Sequence, residues 1–290
     1  MTKSLRLSDN TRDSCIHAGS PLVLGAGGWN IFHHFGVLKA LQEHKIEVGP
    51  VLGVSAGSLT AAFLTNGYTA DEMIPIFLAM RGERDNINSV MEGIRLADPI
   101  AMMVGGTFSL RPYLAKLIAK YNLKANNRLS ILACDYFTRE PVLFRGENID
   151  LLTALTASGS PPGVFQPEWY LDGGKPRLLV DGACYHYNPT EFFDKPAIVS
   201  KFRPATAMPT EWKYPIDLYF HFRELFFPVA GSSRHVDSSR HLVIETGLPE
   251  VAGLNYGISE ATCLRMVENG YNTANEVIVR AKAEGRLCSA

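Results

Sequence analysis

The sequence lacks an uncharged apolar run of about eighteen residues, so no segment is expected to span a bilayer. It lacks an excess of either charge. Its 28 Lys and Arg face 29 Asp and Glu, a formal net charge of −1, which removes the electrostatic case for nucleic acid as a partner. It lacks any C-x-x-C pair. The five cysteines are Cys15, Cys134, Cys184, Cys263 and Cys288; their odd number argues against a disulfide framework and for a reducing compartment. The first twenty residues, MTKSLRLSDNTRDSCIHAGS, are polar and carry no apolar leader core. The expectation is therefore a cytoplasmic protein, peripheral to a membrane at most. Nucleotide signatures are also missing. There is no G-x-x-x-x-G-K-[ST], and the G-x-G-x-x-G spacing that Gly25 and Gly27 begin ends on Asn30.

What is present is a chain of 290 residues, 46% of them apolar, enough to bury a sizeable core without disulfides or metals. Residues 1–19 read as an N-terminal arm and residues 20–290 as one domain. Short apolar runs alternate with helical periodicities. PLVLG, VGPVLGV, RLSILACDY, PVLF, PRLLVDG and HLVIE read as strands. Helices are expected after the glycine-rich turn near Gly25 and after Ser55, and over 70–82, 85–97, around RPYLAKLIAKYN and ENIDLLTALTAS. A last helix, from Ser259 on, is expected to be interrupted at Gly270. Alternating strands and helices imply a mostly parallel sheet covered on both faces.

The stretch LGVSAGSL places Ser55 in G-x-S-x-G, between Gly53 and Gly57, where a strand turns into a helix. Such an elbow presents a hydroxyl at the carboxyl edge of a sheet. The helix behind it aims N–H groups and a positive dipole end at a developing oxyanion. A nucleophilic serine needs a base, and two answers stand open. One is a late histidine, for which His221, His235 and His241 are available. The other is a carboxylate acting directly. Asp181, before Gly182 at the end of RLLVDGA, lies at the same sheet edge. Gly25, Gly27 and Gly28, between the first strand and the first helix, can turn backbone N–H groups towards an anion. The pair His33-His34 is read as packing, because neighbours on a helix face different ways. Two apolar stretches, 100–108 and 214–231, are candidates for acyl-chain or lipid contact, with ordinary packing as the alternative.

In order, LGAGGWNIFHHFGVLKAL, GVSAG and DGACYHYNP resemble the glycine loop, nucleophile elbow and D-G-[GA] motif of the patatin-like phospholipases. LTASGSPPGVFQP resembles the segment before the aspartate strand, and the resemblance covers roughly residues 20–200. It implies a three-layer α/β/α fold and hydrolysis of acyl esters in phospholipids or other lipids. It implies a dyad, with Ser55 as nucleophile and Asp181 as base, and an oxyanion hole of Gly27, Gly28 and Ala56. No metal or organic cofactor is implied. Two positions depart from the family loop, which carries a basic residue and then glycine where this chain has Asn30 and Ile31. Two alternatives remain: an α/β-hydrolase-type esterase with a histidine triad, and a lipid-binding or regulatory protein with little turnover.

Overall fold

The structure is a computed structural model that describes residues 15–82, 109–211, 235–255 and 257–288. The helix expected over 85–97, the stretches 100–108 and 214–231, and His221 lie outside the described residues. The chain opens with β1 (Ser20–Leu24), α1 (Ile31–Glu43), β2 (Val48–Val54), α2 (Ala56–Thr65) and α3 (Ala70–Gly82). It continues through α4 (Arg111–Lys120), β3 (Leu129–Asp135), β4 (Pro141–Arg145), α5 (Leu151–Ser158), β5 (Glu168–Asp172) and β6 (Lys175–Asp181). It closes with β7 (Ile198–Phe202), β8 (Leu242–Thr246) and α6 (Glu260–Ala283). The result is a central, mostly parallel sheet flanked by helices. Among the described residues, no helix is long and apolar enough to cross a membrane.

Five strands, in the order β3-β2-β1-β7-β8, are parallel. Their side chains alternate between two apolar clusters, as a pleat requires. Leu22, Leu24, Val51, Ile131 and Ile198 join the larger cluster with the buried faces of the six described helices. Val23, Leu52, Val54, Leu132 and Val199 join a smaller one, packed by Ala183, Tyr185, Tyr187, Phe192 and Phe193. Helix starts follow their caps. Asp150 accepts from the N–H groups of Leu152 and Thr153 at the head of α5, and Ser259 from that of Thr262 at the head of α6.

The pairing around β3 positions everything that follows. One edge of β3 carries β4, antiparallel, over Ser130–Cys134. The other edge is shared. β2 runs parallel along Leu129–Leu132 and stops at Val54. From Ala133 to Asp135 the partner is β6, antiparallel, with Asp181 opposite Ala133. β2 and β6 therefore lie in one line and point at each other, and their carboxyl ends meet. β5 pairs with β6 through a turn at Gly173-Gly174, both at positive φ.

Three expectations need correction. α6 is continuous through Gly270. A side chain there would collide with the His33 carbonyl, and one at Gly36 with the Val267 carbonyl, so the two glycines let α1 and α6 touch backbone to backbone. The glycine is a contact, not a break. Next, Cys15 and Cys288 form a disulfide with Cα atoms 6.0 Å apart, within the usual span. An odd count excludes complete pairing but not a single bridge, so it no longer argues for a reducing compartment. Last, the end of the expected arm is built into the domain. Ile16 is buried in the main core and pairs with Leu287.

Candidate active site

Ser55 follows β2 and precedes α2. Its backbone sits at φ 54, ψ −126, a region that costs a non-glycine residue about 1–3 kcal/mol and persists only when its surroundings hold it. Those surroundings are visible. The Ser55 N–H donates to Ser158 Oγ at 2.9 Å. The Ser55 carbonyl accepts from Ser58 Oγ at 2.6 Å and from the Ser58 N–H at 2.9 Å. A side chain at Gly57 would strike the Leu24 and Gly25 carbonyls, so only glycine lets α2 seat this close to β1.

Because β2 and β6 meet end to end, Ser55 and Asp181 are neighbours across 126 positions of sequence. Ser55 Oγ donates to Asp181 Oδ2 at 2.7 Å. The other carboxylate oxygen, Oδ1, accepts the Ala183 N–H at 2.8 Å, and the Asp181 N–H donates to the Ser160 carbonyl at 2.9 Å. Asp181 is buried. Burial pushes its carboxyl up from the ordinary aspartate value to about 7, against the hydrogen bonds from Ser55 and Ala183, which lower it. A carboxylate so placed accepts a proton near neutral pH and can return it.

The glycine loop stands opposite. The Gly25 N–H donates to the Ser200 carbonyl and that of Ala26 to the Tyr187 carbonyl. The Gly25 carbonyl accepts from His34 Nε2 at 3.0 Å. A carbonyl only accepts, so the proton is on Nε2, and Nδ1 takes the Ser200 hydroxyl hydrogen at 2.7 Å. Burial holds His34 down at about 4, so it stays neutral and braces the loop. The N–H groups of Gly27 and Gly28 have no protein acceptor among the described residues. The left-handed residue of the loop is Gly28, at φ 54. Ile31 is ordinary helix at φ −48, so the absence of glycine there strains nothing. Asn30 is buried, and its Oδ1 has no hydrogen-bond partner.

A cavity of about 190 Å³ opens on Ser55. Gly28 and Ala56 line it beside the hydroxyl, and its walls include Leu59, Phe77, Met80, Leu114 and Phe165. Gly27 is not on the cavity wall; it packs against Phe202. Neither of the described late histidines, His235 and His241, bonds the dyad. His241 precedes β8, and its Nδ1 accepts the Ala197 N–H at the amino end of β7, the opposite end of the sheet. His235 is exposed, and among the described residues no histidine bonds Ser55 or Asp181. Gly53 and Gly182 pack closely on the elbow helix and on β3, respectively. Sequence reading missed Ser158 and Ser160. They hold the backbones of Ser55 and Asp181 from one turn, and the only signal was their place in ASGSPP.

The fold agrees with comparison to known proteins. A family model for patatin-like phospholipase matches residues 22–194, more than half of the chain. VipD from Legionella pneumophila aligns over 92% of this chain and 68% of its own, at 15% identity and a TM-score of 0.57. The ExoU–SpcU complex of Pseudomonas aeruginosa aligns over 93% of this chain at 16% identity, with a TM-score of 0.46. The type III effector protein ExoU gives 90%, 16% and 0.44. The chain spans about half the length of those last two matches, 52% and 53%.

Proposed function

The chain belongs to the patatin-like phospholipase family, and we propose that it is a serine acyl hydrolase of the phospholipase A or lysophospholipase type. It cleaves carboxylic esters of membrane lipids with a Ser55–Asp181 dyad. The observation that carries this is the 2.7 Å hydrogen bond from Ser55 Oγ to a buried Asp181, at the mouth of an apolar cavity. Ser55 Oγ attacks the ester carbonyl carbon, and its proton passes to Asp181 Oδ2. The oxyanion of the tetrahedral intermediate takes hydrogen bonds from the free N–H of Gly28 and the helix-start N–H of Ala56, with Gly27 behind them. Collapse expels the alcohol, which leaves with the proton held by Asp181. Water then attacks the acyl-serine, Asp181 takes its proton, and Ser55 is regenerated with a free fatty acid. The acyl chain lies along Leu59, Phe77, Met80 and Phe165.

One observation favours a second reading, a lipid-binding protein with little turnover: a neutral Asn30, its side-chain Oδ1 without a partner among the described residues, stands where the family carries a cation. A fluorophosphonate probe decides between them. Labelling of wild type on Ser55, lost in Ser55→Ala and slowed in Asp181→Asn, supports the hydrolase. A purified, folded wild type that resists the probe and every ester supports the binding protein. Labelling of Ser55 that survives Asp181→Asn but collapses in a histidine variant would restore the triad.

A further inference from the structure

The two ends of the described chain meet in one short pairing. Ile16 pairs with Leu287 in parallel. The Ile16 N–H donates to the Arg286 carbonyl at 2.9 Å, and the Cys288 N–H to the Ile16 carbonyl at 3.0 Å. Ile16 and Leu287 both pack on the main core. Extended backbone alternates its side chains, so Cys15 and His17, on either side of Ile16, project to the other face, and Cys288 joins them there. One end of the chain thus supplies a Cys-x-His pair and the other a cysteine. The ligating atoms of Cys15, His17 and Cys288 all lie within 4.8 Å of one another, and no other such group of three occurs among the described residues.

The place of His17 is fixed by its own turn. Its N–H donates to Ser20 Oγ at 3.0 Å, and its carbonyl accepts the Ser20 N–H at 3.0 Å. A disulfide has no use for the imidazole beside it; a metal ion has. Cys15 is buried, Cys288 half-buried and His17 exposed, which gives the cluster a closed side and an open one by which an ion can enter. The adjacent cation, Arg286, is engaged by the Ser238 and His241 carbonyls.

The donor set fits zinc. With Zn–S about 2.3 Å and Zn–N about 2.0 Å, tetrahedral angles put two sulfurs about 3.8 Å apart and each about 3.5 Å from the nitrogen. The cysteine Cα atoms are 6.0 Å apart, so once the bridge is reduced, side-chain rotation opens the sulfurs to that distance. Two thiolates and a neutral imidazole cancel the charge of a dication. Soft sulfur with imidazole favours zinc over magnesium or calcium.

We propose that the reduced form of this cluster is a zinc site, in which Cys15 Sγ, Cys288 Sγ and a ring nitrogen of His17 hold the ion and water takes the fourth position. Two small-molecule thiols reduce the bridge, yielding two cysteine thiols and one small-molecule disulfide. Zinc then binds both sulfurs as thiolates and releases two protons. The ends of the chain stay joined in either state, sulfur to sulfur when oxidised and through the metal when reduced. This inference does not depend on the hydrolase reading.

The test uses the whole protein, reduced with a phosphine under inert gas and freed of reductant. Zinc is titrated in against a chromogenic chelator, and cobalt(II) is added to a second sample as a spectroscopic probe. Reduced wild type should take up one zinc per chain, and the oxidised protein none. Cobalt should give the intense visible bands of a tetrahedral site and a thiolate-to-metal charge-transfer band. Zinc, but not magnesium, should raise the melting temperature of the reduced protein. Cys15→Ser and Cys288→Ser should each abolish the charge-transfer band or halve it. His17→Ala is the sharper variant, because it leaves the bridge able to form in air. Its oxidised melting temperature should match wild type, while its reduced form should bind zinc about a hundredfold more weakly or worse, at least the cost of losing an outer-shell partner. Reduced wild type that takes up no zinc overturns the proposal. So does zinc uptake that is undiminished in His17→Ala, or in Cys15→Ser, which would place the ion on other cysteines.

Discussion

The two ends of the sheet hold similar residue types and use them in opposite ways. At the amino end, His241 is buried and its ring nitrogen accepts the Ala197 N–H. Arg286 donates to the Ser238 and His241 carbonyls, Ile16 exchanges backbone bonds with Arg286 and Cys288, and the bridge Cys15–Cys288 closes over them. Donors there meet acceptors. At the carboxyl end, Ser55 is held at φ 54, Asp181 is a carboxyl deprived of water, and the Gly27 and Gly28 N–H groups have no protein partner among the described residues. A fold that satisfies one end and leaves the other strained and unsatisfied is keeping the second end for a ligand.

Substitutions at the two ends should therefore separate turnover from stability. Ser55→Ala should have the largest effect, a loss of ester hydrolysis of about ten-thousandfold or more, since no second group forms the acyl-enzyme. Its melting temperature should stay level or rise, because alanine removes only a partly exposed hydroxyl. Near-normal turnover of a nitrophenyl ester by this variant would end the contrast between the ends.

Asp181→Asn should cost somewhat less, about a thousandfold, because an amide cannot take the serine proton. The pH profile sharpens the point. In the proposed mechanism the working form is the carboxylate, whose pKa is raised to about 7, so wild-type turnover should be level above that value. Below it, turnover should fall about tenfold per pH unit as the carboxylate is protonated. A profile flat down to pH 5 would remove Asp181 as the base. Gly28→Val should follow, with a loss of about a hundred- to a thousandfold from a misplaced donor. Its new side chain meets the Gly253 carbonyl, at a φ valine rarely adopts. If Gly28→Val instead unfolds the protein, Gly28→Ala, read by labelling rate and circular dichroism, tests the same donor.

The smallest effect on turnover belongs to the amino end. His241→Ala leaves a buried N–H unpaired, and Cys288→Ser opens the bridge. Each should lower the melting temperature, by a stability loss of about 1–3 kcal/mol and about 2–4 kcal/mol, respectively. Turnover at the permissive temperature should stay within about twofold of wild type, since both sites are remote from Ser55. A histidine variant that loses turnover but keeps its melting temperature would reopen the triad.

Local chemistry was legible and long-range pairing was not. GVSAG and DGA name their residues because an elbow and a strand end are each written in five or so consecutive positions. That the two would meet was readable from their common edge. How they meet was not: β6 comes from the far side, antiparallel, and shares an edge of β3 with β2. That choice is made by strand partners 44 to 78 positions away. EWYLD and IVSKF, the strands β5 and β7, escaped notice because charges interrupt their short apolar runs. Gly270 misled for the same reason. Its purpose lies in the backbone of α1, which no local pattern reveals. The departures at Asn30 and Ile31 looked equally serious in the sequence. The structure separates them: Ile31 is harmless in a helix, whereas Asn30 is a buried amide with an idle oxygen.

The bridge between Cys15 and Cys288 spans 273 positions, so covalently the described chain is a ring. A protease that cuts this ring once releases nothing. The nicked molecule keeps its mass, apart from one added water, and keeps both halves tethered. On a denaturing gel such a nick stays hidden until a reductant is added, and then two fragments part whose sizes report the site of the cut. Two separate cuts are needed before any piece can leave, so wear on a surface loop would not shed fragments until it had happened twice.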